Sequence, residues 1–218
     1  MIPVKICGIT NLEDALCAVE NGAAALGFIF YPPSPRFIEP VSAGRIIDEL
    51  PRNLVKVGVF VNEEVSVVRK ILNDCRLDMI QLHGDETPGY CAQFPESRVI
   101  KALELKTAED LGRARRYDVA AILVDSRHAG LYGGTGRTSN WDLAGRIEQP
   151  LILSGGLKED NVIEALQKVK PAALDINSGV ESAPGKKDPE KIRRIMQVIR
   201  AHDAGGQPPQ IFKRREAL

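Results

Sequence analysis

Several ionisable and amide side chains fall where strand packing would call for apolar ones. Lys5 and Cys7 interrupt the run Val4–Cys7, Gln81 and His83 interrupt Met79–His83, and Asp125 closes Ala120–Asp125. Asp175 lies within Ala172–Ile176, with Asn177 just beyond it. Side chains alternate along a strand, so each pair shares one face: Lys5 with Cys7, Gln81 with His83, Leu123 with Asp125, and Asp175 with Asn177. Groups of this kind move protons. A thiol is a good base only when ionised, and at its ordinary pKa of about 8.5 only a few per cent is thiolate at neutral pH. A carboxyl donates when its site keeps it protonated or reprotonates it quickly. Each of these residues taken singly has a packing or capping explanation, and a buried cysteine is commonly inert. Most of them fall at or near the C-terminal ends of several strands, and that convergence is what points to chemistry.

Two further segments suit a phosphate ester. Ser154-Gly155-Gly156-Leu157 and Asn177-Ser178-Gly179-Val180-Glu181 follow neighbouring apolar runs, and glycine lets backbone N–H groups approach an oxyanion closely. Arg36 ends the stiff loop Tyr31-Pro32-Pro33-Ser34-Pro35-Arg36, and a guanidinium can hold a carboxylate through two parallel hydrogen bonds. The segment from Ser126 to about Ser139, with Gly133-Gly134-Thr135-Gly136 inside it, has the length of a lid.

These residues need a scaffold that gathers strand ends. Apolar, β-branched runs occur at Val4–Cys7, Ala24–Phe30, Leu54–Val61, Met79–His83, Arg98–Leu103, Ala120–Asp125, Leu151–Leu153 and Ala172–Ile176. Helical periodicity lies between most of them, as in Asn11–Asn21 and Glu63–Asn73, and a last helix is expected over Pro189–His202. Alternating strand and helix predict a parallel sheet with crossover helices. The repeat of about 24 residues gives eight βα units, the number a closed TIM barrel requires. An open dinucleotide-binding sheet would want a G-x-G-x-x-G turn after strand 1, where this chain has Cys7-Gly8-Ile9-Thr10. The reading is a single (β/α)₈ barrel of eight parallel strands over residues 1–203. Thr10 or Asn11 is expected to cap the first helix. Thr107 with Asp110 resembles a capping box at the start of the short fifth helix. Residues 204–218, opening Ala204-Gly205-Gly206-Gln207-Pro208-Pro209, are expected to form a mobile C-terminal tail.

Composition narrows the partners. The 218 residues carry 29 basic and 29 acidic side chains, a formal charge of zero that argues against nucleic acid or a membrane surface. No apolar run is long enough to span a bilayer and no secretory leader is visible, which suggests a cytoplasmic protein. The four cysteines form no C-x-x-C pair, and the three histidines show no helical ligand spacing, so no metal site is expected.

The ordered set Lys5-Ile6-Cys7-Gly8-Ile9-Thr10, Ser34-Pro35-Arg36, Gln81-Leu82-His83-Gly84, Gly133-Gly134-Thr135-Gly136, Ser154-Gly155-Gly156-Leu157 and Ser178-Gly179-Val180-Glu181 resembles the phosphoribosylanthranilate isomerase family. Pro184-Gly185-Lys186-Lys187-Asp188 looks like its closing motif, and the likeness covers nearly everything before residue 203. The resemblance implies a barrel that isomerises N-(5′-phosphoribosyl)anthranilate to 1-(2-carboxyphenylamino)-1-deoxyribulose 5-phosphate in tryptophan biosynthesis, without a cofactor. It implies Cys7 as general base and Asp125 as general acid. Arg36 would hold the anthranilate carboxylate, His83 would contact substrate, and Gly155, Gly156, Ser178 and Gly179 would hold the phosphate. Asn177 and Ser154 depart from the family pattern, which commonly has serine and alanine there. Lys5, on the face of Cys7, is expected to favour the thiolate. The partner would be a small phosphosugar, with the protein a monomer or homodimer. Two alternatives are an isomerase of another phosphoribosyl amine, of the histidine-pathway type, and a phosphosugar-binding barrel without chemistry. The first would generally place an aspartate where this chain has Cys7.

Overall fold

The computed structural model describes residues 1–125, 140–202, 211, 212 and 214. The expected lid, Ser126 to about Ser139 with Gly133–Gly136, lies outside the described residues. Eight strands close into a parallel barrel in chain order: β1 (Val4–Cys7), β2 (Ala25–Ile29), β3 (Val55–Phe60), β4 (Met79–Leu82), β5 (Val99–Leu103), β6 (Ala121–Val124), β7 (Leu151–Leu153) and β8 (Ala173–Ile176). The ring is completed by β1 against β8, with Lys5 opposite Asp175. Each strand falls within a residue or two of its apolar run, because both faces of a barrel strand are buried and the run is therefore continuous.

Helices α1 (Leu12–Glu20), α2 (Pro40–Asp48), α3 (Val65–Asp74), α7 (Val162–Val169) and α8 (Pro189–His202) span two or more turns, whereas α4 (Pro88–Cys91), α5 (Glu109–Ala114) and α6 (Trp141–Ala144) are short. Asn11 caps α1, its Oδ1 accepting from the N–H of Asp14 at 2.8 Å. Only half of the expected box forms at α5. Asp110 accepts from the N–H of Thr107, but no side chain caps the helix start, because Thr107 lies a residue outside the capping position. No described helix is long and apolar enough to cross a membrane.

Two apolar layers follow from strand alternation. The larger lies between strands and helices. The smaller fills the barrel with Ala25, Val55, Val57, Met79, Ile100, Ala102, Ala121, Leu123, Ile152 and Ala173. Ile211 and Phe212 join this inner layer, at 3% and 6% exposure. They line a cleft with Pro3, Ala24, Pro51 and Val55, at the N-terminal ends of β1 to β3. The expectation of a mobile tail therefore does not hold for these two residues, which are seated on the barrel floor by their own apolar surface. Burying a side chain of this size stabilises by about 1.5–3 kcal/mol. Phe212→Ser is expected to lower the melting temperature by roughly 3–12 °C. Because the floor is the end remote from the chemistry, kcat and KM should not change; a thermal scan with steady-state kinetics checks both.

Candidate active site at the C-terminal mouth of the barrel

Above the apolar layer the interior turns polar, at the strand ends where enzymes of this architecture place their chemistry. Lys5 of β1 is fully buried. Its Nζ donates to Oδ1 of Asp175 on β8 at 2.9 Å and to Oε1 of Gln81 on β4 at 2.8 Å. Gln81 Nε2 lies 2.8 Å from Nδ1 of His83, and His83 Nε2 stands 3.2 Å from Oδ2 of Asp125, just past β6. The inward faces assigned from sequence parity are those the structure shows, and they meet side chain to side chain across the barrel.

Cys7, one step above Lys5, is buried at the end of β1. Burial pushes its thiol above the ordinary value; the Lys5 ammonium pulls the other way and Asp175 adds to the rise. Lys5 does favour the thiolate, as expected, but desolvation outweighs it. For Lys5 itself burial works against the charge, and Asp175 followed by Cys7 more than restores it, leaving a net upward shift. Room for Sγ comes from Gly27, its register partner on β2. A Cβ at Gly27 would stand 2.7 Å from Cys7 Sγ and 2.9 Å from Lys5 Cε. Gly27 was not among the candidate residues. A lone glycine inside an apolar strand is the signal for such a close approach.

Arg36 is buried beside the mouth, gripped by Glu181. Its Nε donates to Oε1 at 2.9 Å and its Nη2 to Oε2 at 2.7 Å. Glu181 opens a hairpin, β9 (Glu181–Ala183) and β10 (Lys186–Lys187), that follows β8. Lys187 is fully buried and donates from Nζ to Glu181 Oε1 at 3.0 Å and to Asn177 Oδ1 at 2.9 Å. Burial works to raise the Glu181 carboxyl, but Arg36 and Lys187 hold it below the ordinary range. The amide at Asn177 thus has a local use as acceptor for Lys187. Glu181 and Lys187 carried no assigned role from sequence, since the motif pieces show nothing of a pairing with Arg36, 145 positions from Glu181.

The loops after β7 and β8 meet in a small cleft lined by Asp125, Ser154, Gly155, Gly156, Asn177, Ser178 and Gly179, among others. Gly155 and Gly156 take φ of 88° and 62°, a region that suits glycine. A Cβ on Gly179 would fall 1.8 Å from the Leu157 carbonyl oxygen, so only glycine lets the two loops touch. All four residues expected at the phosphate therefore line one cleft with Asp125, while Cys7 and Arg36 lie on the β1–β2 side. No group of three or more metal-ligating side chains occurs among the described residues.

A closed (β/α)₈ barrel with a thiol, a carboxyl and two glycine-bearing loops at its C-terminal mouth has the form of a TIM-barrel enzyme. The family described as N-(5′-phosphoribosyl)anthranilate (PRA) isomerase matches residues 4–198, and the chain belongs to that family. Similar proteins include the N-(5′-phosphoribosyl)anthranilate isomerase of Syntrophus aciditrophicus, 53% identical over 93% of this chain and 89% of that one. The isomerase of Geobacter sulfurreducens is 51% identical over 90% and 98%. Among solved structures, phosphoribosyl anthranilate isomerase from Thermotoga maritima superposes with a TM-score of 0.83 at 42% identity, over 92% of this chain and all of that one. Another, solved in complex with reduced 1-(o-carboxyphenylamino)-1-deoxyribulose 5-phosphate, gives a TM-score of 0.81 at 41% identity and the same coverage.

Proposed function

We propose that this chain isomerises N-(5′-phosphoribosyl)anthranilate to 1-(2-carboxyphenylamino)-1-deoxyribulose 5-phosphate, with Asp125 as general acid and Cys7 as general base. The observation that carries the reading is the placement of thiol and carboxyl on separate sides of one polar mouth, with Asp125 in the glycine-lined cleft. Asp125 gives its proton to the ribose ring oxygen as the C1′–O bond breaks. The anilino nitrogen lone pair closes the C1′=N bond, and the furanose becomes a protonated Schiff base. Cys7 removes the C2′ proton, and that electron pair forms C1′=C2′ as the C1′=N pair returns to nitrogen. The resulting enol-amine takes a proton at C1′ and releases the hydroxyl proton to become the ketone. These proton transfers need no cofactor.

The cleft of Gly155, Gly156, Ser178 and Gly179 holds the phosphate through backbone N–H groups. Glu181 takes the Nε–Nη2 edge of Arg36 and aims the rest of the fork at the anthranilate carboxylate. The protein works in the cytoplasm, as a monomer or homodimer, on this small phosphosugar.

Turnover of phosphoribosylanthranilate formed in place from anthranilate and phosphoribosyl pyrophosphate, followed by loss of its fluorescence, tests the reading. No turnover with retained binding of the reduced product analogue would leave a binding barrel without this chemistry. Arg36→Ala is expected to raise KM about tenfold or more with a much smaller change in kcat, since it removes binding common to ground and transition states. A fall in kcat at constant KM would contradict the role.

A further inference from the structure

Between the proposed base and the proposed acid runs a chain of polar contacts whose donor order is dictated by its first member. An ammonium only donates, so the atom of Gln81 facing Lys5 Nζ at 2.8 Å is the amide oxygen. The amide nitrogen therefore faces His83 Nδ1, and since that nitrogen also only donates, Nδ1 must accept. A neutral imidazole with Nδ1 accepting carries its proton on Nε2, the atom 3.2 Å from Asp125 Oδ2.

We infer that Lys5, acting through the Gln81 amide, fixes the tautomer of His83, and that the resulting Nε2–H makes His83 the positioning residue for Asp125. The inference rests on the proposed role of Asp125 as acid and adds what orients it. At 3.2 Å the contact is electrostatic rather than an aligned hydrogen bond, and an N–H on the near ring nitrogen sets partial positive charge beside the carboxylate that Asp125 becomes on giving up its proton. The flipped tautomer would set a bare nitrogen lone pair against Oδ2. The turn bearing His83 is itself anchored, since the buried Lys101 Nζ donates to the carbonyls of Leu82 and Gly84, at 3.1 and 2.9 Å, and to Glu86. The ring therefore cannot easily swing away.

Nitrogen-15 spectra of histidine-labelled protein read the tautomer directly, and the chain has three histidines, so a His83→Gln spectrum assigns the signal. The expected wild-type state at pH 7.5 is Nε2–H. Gln81→Glu keeps a partner for Lys5 but cannot donate to Nδ1, and the proton should appear on Nδ1. In that variant kcat should fall roughly 10–100-fold with KM within about twofold, the size of effect seen when a supporting contact is lost. His83→Leu should show the same split, and His83→Gln, whose amide can still donate toward Asp125, should recover a good part of kcat. An Nδ1–H signal in wild type, an unmoved tautomer in Gln81→Glu, or a wild-type kcat in His83→Leu would each overturn the inference. Because the spectrum needs no turnover, an inactive wild type showing Nε2–H would refute the assigned reaction while supporting the Lys5–Gln81–His83 order. Should Gln81→Glu unfold, Gln81→Met supplies the same comparison, with loss of a single Nε2–H state as the expected result and its persistence as the contrary one.

Discussion

Cys7→Ala is expected to lower kcat by about 10²–10⁴-fold with the melting temperature close to wild type, and Asp125→Ala to do likewise. Removing a base or an acid deletes a proton transfer that water must then supply, and each group belongs to a different step on the same substrate. The double variant should fall little below the slower single one, because groups that act as a unit do not contribute additively. Burial holds the Cys7 thiol above its ordinary range despite Lys5, so the thiolate fraction of the free protein climbs as pH rises through neutrality and beyond. Alkylation of Cys7, read as the difference between wild type and Cys7→Ala, should accelerate over that same interval. An alkylation rate already level at pH 7 would mean that Lys5 wins over desolvation, contrary to the structure.

Lys5→Met is expected to be costly to the fold as well as to the chemistry. The ammonium is fully buried, and its loss leaves the Asp175 carboxylate, 4% exposed, with its partner gone and the Gln81 oxygen with its donor gone. Breaking one half of a buried pair costs about 3–5 kcal/mol. For a chain of this size that is a fall in melting temperature of roughly 6–20 °C. Most of the cost is the charge left behind, so Lys5→Met with Asp175→Leu should recover a substantial part of it. Activity should not recover, since the double variant still lacks the ammonium that favours the Cys7 thiolate. A melting temperature unchanged in Lys5→Met would show that the pair carries little weight. The sign with pH also follows. A lysine whose folded-state pKa is raised contributes stability that is full below its unfolded value and fades as pH rises through the folded one. The Lys5 contribution to the gap between wild type and Lys5→Met should therefore fade in strongly alkaline solution.

Much of this architecture can be read from residue order alone. The eight apolar runs declare themselves because a barrel strand has no solvent face, and the polar intruders near their ends declare the mouth for the same reason. What escapes is what depends on closure of the ring. Arg36 reads as a free guanidinium until the hairpin after β8 brings Glu181 onto it. Gly27 looks like a weak point in β2 until Cys7 is laid beside it. Asn177 reads as a simple departure at the phosphate end, whereas it also anchors Lys187. The short helices α4 and α6, four residues each, carry too little periodicity to be placed. Ile211 and Phe212 are only two apolar residues in a Gly- and Pro-rich stretch, with nothing in their spacing to show that they end on the barrel floor.

The polar groups of the mouth are not shared evenly around the ring. Strands β1 to β4 and their loops supply Lys5, Cys7, Arg36, Gln81 and His83, while β6 to β8 and the segments after them supply Asp125, Ser154, Asp175, Asn177, Glu181 and Lys187. The two halves of the chain are thus chemical complements rather than copies. Two first halves assembled symmetrically would bring a pair of Lys5 ammoniums into one dry interior with no carboxylate from Asp175 between them. Two second halves would leave a pair of Asp175 carboxylates without the Lys5 ammonium that each meets in the native ring. Only the mixed pair of halves restores the Lys5–Asp175 contact, so severed fragments mixed together should find each other in preference to themselves.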